Sequence, residues 1–162
     1  MRKAYTRIGD EGYSRNLYGK KVSKGDVSIL VEGKLDVLQA ALDPAVLQEK
    51  GKYRKMLESV QRRLWQVAAQ VSCGGKKCSV GGISEREVKD LERFIDLLGE
   101  PPQEFIRFRN PRAIVLNECR VRCRELETAL FGLLKSKKIS KEVFAYINRL
   151  SSLLYMMAYK RK

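Results

Sequence analysis

The feature that most constrains the fold of this chain is the helical spacing of apolar residues beyond residue 25. Five stretches carry apolar side chains three or four positions apart, and connections rich in glycine, proline or polar residues separate them. The alternation typical of strands is weak throughout. The sequence therefore predicts an all-α fold, a five-helix up-and-down bundle preceded by an irregular N-terminal segment.

Capping residues and prolines indicate where these helices begin and end. Asp26 is placed to cap the first helix, and Pro44 suits the first turn of the second. Ser84 and Glu87 form an S-x-x-E capping box at the start of the third helix, and Gly99 suits its end. The five helices are expected at about 26–42, 44–71, 84–99, 110–134 and 140–157.

Composition limits the function classes that remain open. The 162 residues include 33 Lys and Arg, 19 Asp and Glu and no His, for a formal net charge of +14. Hydrophobic residues make up 44% of the chain, which fits one folded domain, with an N-terminal segment at 1–25 and a bundle at 26–162. Without His, the commonest general base and metal ligand is missing, so chemistry depends on Lys, Arg, carboxylates, backbone groups and a cofactor. The positive charge attracts polyanions or is simply solvated helix surface.

The sequence gives no sign of membrane insertion or secretion. No apolar run approaches the roughly 20 residues that span a bilayer, and the polar start does not resemble a signal peptide. Four Cys in a chain of this length do not resemble a secreted disulfide framework. The expectation is a cytoplasmic protein with no membrane partner.

The four cysteines leave two interpretations. Cys73 and Cys78 lie in a glycine-rich loop, and Cys119 and Cys123 lie one turn apart on the fourth helix. A four-Cys zinc site is the less favoured alternative, because the C-x4-C spacing is uncommon for zinc. Four free thiols and no protein-bound metal are expected.

Aromatic residues at apolar helical positions are expected to pack in the core. Phe105 is the exception, because it lies in the loop between the third and fourth helices. The aromatic residues expected in the core are Tyr53, Trp65, Phe94, Phe131 and Phe144.

Polar residues on the last two helices form one candidate site. Arg120, Arg124 and Glu127 are spaced by four and then three residues, which places them on one helix face. Two guanidinium groups there can bind phosphate oxygens through forked hydrogen bonds. Asn148 is a poor helix former inside the fifth helix. By spacing alone, an ordinary solvated face with ion pairs is the favoured alternative.

The N-terminal segment carries a second candidate site. Gly9 and Gly12 allow close backbone approach, Thr6 and Ser14 supply hydroxyl groups, and Lys24 supplies charge. The segment matches neither a P-loop nor a dinucleotide-binding turn, so a flexible loop is the alternative.

Four ordered segments and one loop residue resemble the PduO-type cobalamin adenosyltransferases. The N-terminal run TRIGDEGYSRNLYGKKVSK is similar to that family's T-x-x-G-D-x-G-x-[ST] opening and following Lys, and EGKLDVLQAAL to its G-x-V-D-E-L-N segment. CRVRCRELETAL resembles its A-R-x-x-C-R-R-A-E-R helix, and INRLSSLLYMMA its L-N-R-L-S-D-x-L-F helix. Phe105 resembles the Phe that opens its F-I-L-P-G-G loop.

The resemblance implies an activity and its reactants. Such an enzyme moves the 5′-deoxyadenosyl group of ATP onto the cobalt of a reduced corrinoid, cob(I)alamin, giving adenosylcobalamin and triphosphate. It implies Mg²⁺ that accompanies ATP and is not held by the protein, and a homotrimer with shared active sites. A reductase and an adenosylcobalamin-dependent acceptor enzyme are the implied protein partners.

The resemblance also implies roles for individual residues. Asp36 and Arg120 match a pair that forms a salt bridge across a subunit interface. Phe105 matches an aromatic that crowds the lower face of the corrinoid and makes four-coordinate Co(II), and Phe105 and Arg124 are the implied catalytic residues. The implied ATP-binding residues are Thr6, Arg7, Ile8, Gly9, Ser14, Arg15, Lys24, Arg124, Glu127 and Asn148.

Among the departures from the family pattern, four positions keep alternatives open. Val37 replaces a usual Glu, Glu125 and Thr128 replace two Arg, and Ser152 replaces an Asp. One alternative is a non-catalytic paralogue that binds ATP or corrinoid or has a regulatory role. A basic helical nucleic-acid-binding protein is less favoured, because no helix-turn-helix, RNA-recognition or zinc-finger pattern is present.

Overall fold

Five α-helices account for most of the chain, as the apolar spacing predicts. The structure is a computed structural model that describes residue 5 and residues 7–104 and 106–161. The helices are α1 (Val27–Gln48), α2 (Gly51–Cys73), α3 (Glu85–Asp96), α4 (Pro111–Lys135) and α5 (Lys141–Tyr159).

Side-chain caps fix the start of four of these helices. At α1, Asp26 Oδ1 accepts a hydrogen bond of 2.8 Å from the backbone N–H of Ser28. At α3 the expected capping box is present, and Glu87 Oε2 accepts from the backbone N–H of Ser84 at 2.9 Å. Asn110 and Ser140 cap α4 and α5 in the same way. The predicted entries of these four helices are thus confirmed.

The prediction that the second helix starts near Pro44 was wrong. α1 continues through Pro44 to Gln48, and α2 begins at Gly51. Proline removes one backbone hydrogen bond from a helix interior. Continuing the helix, however, places Ala45 and Val46 in the core, where they are buried. Burial of this last turn offsets the lost hydrogen bond.

The helices alternate in direction, which confirms the up-and-down bundle. Lys34 and Ala41 of α1 contact Glu125 and Cys119 of α4, in reversed order along the chain. Side-chain contacts between α2 and α3 and between α4 and α5 follow the same reversed order. α4 packs against both α1 and α5, and α3 packs along α5.

The N-terminal segment is more regular than the sequence indicated. A short 3-10 helix at Ile8–Glu11 leads into strands β1 (Tyr13–Arg15) and β2 (Lys21–Ser23). These strands form an antiparallel hairpin in which Ser14 lies opposite Val22. The expected irregular segment is therefore a small two-stranded hairpin added to a helical bundle.

The cysteines divide into two pairs, so the expectation of four free thiols was half wrong. Cys119 and Cys123 are free and buried, and their thiols donate to backbone carbonyls, Cys119 to Ala41 at 3.0 Å. Burial raises the pKa of Cys119 to about 12. Cys73 and Cys78 instead form a disulfide, with their Cα atoms 5.8 Å apart.

Backbone geometry explains the disulfide. Gly74 and Gly75 both have positive φ, at 60° and 83°, a region that glycine enters at no steric cost. They end α2 and turn the chain back, which brings Cys78 to Cys73. Among the described residues, no group of three or more His, Cys, Asp or Glu side chains is placed to hold a metal ion.

Two of the five predicted core aromatics lie at the surface. Trp65 is 62% exposed and Phe131 is 53% exposed. Both are on helix faces that point away from the bundle axis, beside buried neighbours such as Leu64 and Leu130. The other three, Tyr53, Phe94 and Phe144, pack against the core as expected.

Among the described residues, no helix combines the length and the apolar character needed to cross a bilayer.

Candidate functional site

Three of the predicted ATP-binding side chains meet where α4 packs against α5. Asn148 Nδ2 donates to Glu127 Oε1 at 2.6 Å, and Arg124 Nη1 lies 3.9 Å from Glu127 Oε2. The side chain of Glu127 is 17% exposed, whereas that of Arg124 is 60% exposed. The carboxylate is therefore held in place, while the guanidinium remains accessible to an anion from solvent.

Two residues that received no role from the sequence complete this polar cluster. Arg149 Nη1 donates to Asn148 Oδ1 at 2.7 Å, and Arg149 Nε donates to Glu92 Oε1 of α3 at 2.8 Å. Both ends of the Asn148 amide are thus engaged, which fixes its orientation. Arg149 could have been noticed in the sequence, because it follows Asn148 in the N-R-L-S run. Glu92 could not, because only the packing of α3 along α5 brings it close to Arg149.

A groove of about 590 Å³ runs beside the cluster and has the size of a small-molecule site. Arg120 and Arg124 line it from α4, and Ser151, Ser152 and Tyr155 line it from α5. The expected shared face of Arg120 and Arg124 is thus present.

A second groove, of about 510 Å³, adjoins the first at the same two helices. It is lined by Arg120 and Tyr155 together with Ile106 and Phe108 from the loop before α4. The Arg120 guanidinium lies 5.9 Å from the centre of the Tyr155 ring, within the range of a cation–π contact. Phe105, the implied corrinoid-facing residue, lies outside the described residues.

The predicted interface pair is not joined inside one chain. Asp36 is exposed on α1, and Arg120 donates from Nε to Asn117 Oδ1 at 2.8 Å. Within the described part of the chain, no ion pair links Asp36 to Arg120. A contact between subunits stays a prediction.

The N-terminal candidates surround the hairpin. Lys24 Nζ donates to the Gly9 carbonyl at 2.8 Å, and a Cβ at Gly9 would lie 3.1 Å from Lys24 Nζ. Gly9 therefore leaves room for the lysine to fold back over the short 3-10 helix. Arg15 Nη1 donates to the Gly19 carbonyl across the turn at 2.7 Å, and Ser14 is half-buried on β1.

The remaining N-terminal candidates lie at the start of this segment. Arg7 adopts a left-handed conformation, with φ at 62°, and precedes the short helix. Ile8 is 42% exposed at its first position. Thr6 lies outside the described residues, so its implied role stays a prediction.

The hairpin is seated on the end of α2, which the sequence did not indicate. The Leu17 backbone N–H donates to Ser72 Oγ at 2.9 Å, and Tyr18 Oη donates to the Lys77 carbonyl at 2.7 Å. Lys76 Nζ lies 5.8 Å from the centre of the Tyr18 ring. The turn between β1 and β2 is thus tied to the loop that the disulfide closes.

The two candidate sites are separate in one chain. Among the described residues, no hydrogen bond or ion pair joins 7–24 to Arg124, Glu127 or Asn148. The structure brings the helical candidates together and holds the N-terminal candidates together, as two groups.

Comparison with known proteins adds a family assignment. A family model described as cobalamin adenosyltransferase matches residues 4–161. The chain is similar to the corrinoid adenosyltransferase PduO of Citrobacter freundii, at 33% identity over 161 residues, which cover 95% of this chain and 48% of that protein. A second Citrobacter freundii corrinoid adenosyltransferase is 28% identical over 165 residues, which cover 98% of this chain and 94% of that protein.

The same fold occurs among solved structures. A variant of a PduO-type ATP:co(I)rrinoid adenosyltransferase from Lactobacillus reuteri, complexed with ATP, superposes with a TM-score of 0.87 at 24% identity. The alignment covers 98% of this chain and 94% of that one. The chain spans about half the length of the PduO relative, 48% of it.

Proposed function

The chain belongs to the cobalamin adenosyltransferase family, and we propose that it transfers the 5′-deoxyadenosyl group of ATP to the cobalt of a reduced corrinoid. The observation that carries the proposal is the α4–α5 cluster. An accessible Arg124 guanidinium stands beside a Glu127 carboxylate that Asn148 holds in place, at the edge of a groove of about 590 Å³.

ATP fits the two groups of candidate residues by charge and by hydrogen-bonding chemistry. Arg124 offers a forked cation to phosphate oxygens, while Glu127 and Asn148 offer fixed polar atoms to a ribose or an adenine. Lys24, held over Gly9 by a 2.8 Å hydrogen bond, supplies a second cation for the triphosphate. Thr6, Arg7, Ile8, Ser14 and Arg15 complete the segment that wraps the nucleotide. Mg²⁺ would be bound by the phosphates of ATP and would enter the site with them.

We place the complete ATP site between neighbouring subunits of a homotrimer. The separation of the N-terminal and helical groups within one chain supports this placement, because a site built from both needs a second copy. The exposed Asp36 and the groove-lining Arg120 are unpaired with each other inside the chain and would form a salt bridge across the interface.

The corrinoid would lie against the second groove. Its mixed lining of Ile106, Phe108 and Tyr155 with the cation Arg120 suits a large ring with polar edges. Phe105 immediately precedes this lining in the sequence, which supports its role at the lower face of the corrinoid. Removal of the lower axial ligand would leave four-coordinate Co(II), which is easier to reduce.

The reaction requires little acid–base catalysis from the protein, which is consistent with a sequence that contains no His. Reduced cobalt supplies the electron pair that forms the bond to the ribose 5′ carbon, and the bond from that carbon to the triphosphate oxygen breaks. The chain's own residues hold ATP in line for attack, neutralise the departing triphosphate with Arg124 and Lys24, and exclude water.

The departures from the family pattern are compatible with catalysis. Glu125 points to Lys34, at 2.7 Å, and to Arg122, at 3.5 Å, so its charge is compensated away from the groove. Thr128 Oγ1 donates back to the Arg124 carbonyl at 3.0 Å. Only Ser152, among these substitutions, lines the groove. A non-catalytic ATP- or corrinoid-binding paralogue remains the second candidate, because Ser152 lacks the carboxylate usual at this position.

A reductase that delivers the electron to the bound corrinoid and an acceptor that uses adenosylcobalamin are the proposed protein partners. Both partners imply that the enzyme works in the cytoplasm. The two free thiols buried in the bundle are consistent with that compartment, whereas the Cys73–Cys78 disulfide is of a kind that is rare there.

An anaerobic assay tests the proposal. Chemically reduced cobalamin, ATP and Mg²⁺ are mixed with the protein, and the loss of Co(I) absorption is followed. Light-sensitive adenosylcobalamin should form only when both ATP and protein are present. ATP binding without turnover would reject catalysis and favour the non-catalytic paralogue.

A further inference from the structure

The Cys73–Cys78 disulfide lies beneath the segment to which we assign ATP binding. We propose that this disulfide is a thiol–disulfide exchange site, and that its reduction by a dithiol loosens the N-terminal hairpin and weakens ATP binding. The inference rests on the proposed function, because it takes the residues around the hairpin as part of the ATP site.

The hairpin depends on its contacts with Ser72, Lys76 and Lys77, which together form its seat. Strands β1 and β2 share only three residue pairs, Tyr13 with Ser23, Ser14 with Val22, and Arg15 with Lys21. A two-stranded hairpin of this size is at best marginally stable alone in water. Contacts of the turn with the rest of the chain must therefore hold Ser14 and Arg15 in place.

Two of the three contacts at the seat reach the disulfide-closed loop. Tyr18 Oη donates to the Lys77 carbonyl at 2.7 Å, and the Tyr18 ring lies 5.8 Å from Lys76 Nζ. The third contact, from the Leu17 N–H to Ser72 Oγ, goes to α2 itself. Reduction would therefore leave the Ser72 anchor in place and weaken the two contacts of Tyr18.

The disulfide is what fixes the acceptor of the Tyr18 hydrogen bond. The carbonyl of Lys77 directly precedes Cys78, whose Cα is held 5.8 Å from that of Cys73. Gly74 and Gly75 lie between the two cysteines in conformations that only glycine adopts readily. Because glycine is so permissive, the loop would gain many alternative conformations without the cross-link. A cross-link removes that conformational freedom.

The two sulfur atoms differ in access. Cys73 is 3% exposed at the end of α2, whereas Cys78 is only half-buried and follows the exposed residues Lys76 and Lys77. An incoming thiolate is drawn by these two positive charges and meets Cys78 first.

The exchange balances as a two-electron reduction. The thiolate of a dithiol bonds to Cys78 Sγ, the protein S–S bond breaks, and its electron pair leaves on Cys73 Sγ, which takes up a proton. The second thiol of the reductant then attacks the mixed disulfide and releases Cys78 as a thiolate, which is also protonated. The dithiol ends as its own disulfide, and the protein gains two electrons and two protons.

The test compares the oxidised protein with the same protein treated with dithiothreitol, without any corrinoid. Alkylation followed by mass measurement checks that reduction frees Cys73 and Cys78. Titration calorimetry with Mg-ATP should then show affinity about two- to tenfold weaker after reduction, the range expected for loss of one hydrogen bond. Hydrogen exchange of peptides covering 13–23 should be faster in the reduced form.

Variants separate the seat from general damage. Tyr18→Phe should weaken ATP binding of the oxidised protein and shrink its response to dithiothreitol, because the hydrogen bond to Lys77 is already absent. Tyr13→Phe, on the same hairpin but away from the seat, should keep the full response. The double variant Cys73→Ser, Cys78→Ser should bind ATP as the reduced protein does and ignore dithiothreitol.

Three results would overturn the inference: no disulfide in the oxidised protein, equal ATP affinity of the two forms, or equal exchange of the hairpin amides. Absence of ATP binding in both forms would refute the proposed function instead. Exchange of the hairpin amides, which needs no ligand, would then decide by itself whether the disulfide holds the hairpin.

Discussion

Asn148 of α5 donates a hydrogen bond of 2.6 Å from Nδ2 to Glu127 Oε1 of α4. The bond joins the two helices that carry the helical half of the candidate ATP site. Since the Glu127 side chain is only 17% exposed and its ion pair with Arg124 is long, at 3.9 Å, Asn148 is the principal partner of a poorly solvated carboxylate.

Asn148→Ala should therefore lower both stability and ATP affinity. Loss of a partner by a half-buried carboxylate costs about 1–3 kcal/mol, which urea unfolding can measure. In a Glu127→Ala background the same change should cost much less, because no carboxylate remains to be left unpaired. Equal costs in the two backgrounds would show that the hydrogen bond contributes nothing to stability.

Arg124→Ala should weaken ATP binding about ten- to hundredfold, since a charge-assisted hydrogen bond to phosphate contributes about 1.5–3 kcal/mol. Titration calorimetry with Mg-ATP measures the change. Arg122→Ala is the matched control, because it removes the same charge from α4 at a residue paired with Glu118 and Glu125. An unchanged ATP affinity in Arg124→Ala would show that the triphosphate does not bind at this helix.

Phe105→Ala should leave ATP affinity unchanged and slow the reaction that starts from Co(II) cobalamin and a reductant. The reason is the proposed role of Phe105, because a smaller side chain would no longer crowd the lower face of the corrinoid. Trp65→Ala serves as the control, because it also removes a large aromatic side chain but from an exposed position on α2. Equal rates in the wild-type protein and Phe105→Ala would reject the role of this residue.

Asp36→Arg should shift the proposed trimer toward monomer and lower activity with it. In the proposed interface the substitution would place a positive charge opposite Arg120, and like charges repel across an interface. The exchanged pair Asp36→Arg, Arg120→Asp should restore the trimer in sedimentation experiments. A trimer that survives Asp36→Arg would mean that these two residues do not meet.

Glu87→Gln should destabilise the protein by about 1 kcal/mol at pH 7, because it removes the charge from the carboxylate that accepts from Ser84 in the capping box of α3 and pairs with Arg63 at 3.2 Å. The hydrogen bond with Ser84 is the largest cause that lowers the pKa of Glu87 below its ordinary 4.5. Because the folded pKa is the lower one, this stabilisation is complete above about pH 4.5 and is lost as the pH falls through the folded value.

Urea unfolding should therefore separate Glu87→Gln from the wild-type protein at pH 7 but much less in acid. Glu85→Gln is the control, since the Glu85 side chain is 77% exposed and forms an exposed ion pair with Lys89 one turn away. A pH-independent difference would contradict a role for the ionised carboxylate.

Features set by neighbours in the sequence could be predicted, and those set by packing could not. Asp26 and Ser84 were identifiable as caps because a cap acts within one turn of its own helix. The passage of α1 through Pro44 depends on the burial of Ala45 and Val46, which appears only in the folded bundle.

The candidate site likewise has features that are visible in the sequence and features that only packing determines. The spacing of Arg124 and Glu127 on one helix is visible in the sequence, and the structure places them together. Glu92 was missed, because it reaches Arg149 only through the packing of α3 along α5. The seat of the hairpin at Ser72 was missed too, since its partner Leu17 is 55 positions away.

The thiols inside the bundle determine how the protein can be tagged for spectroscopy. Maleimide dyes react with accessible thiolates, and Cys119 and Cys123 are fully buried in α4 with raised pKa values. While Cys73 and Cys78 remain joined, none of the four native cysteines offers such a sulfur. Trp65→Cys would then accept a single fluorophore, without replacement of any native cysteine.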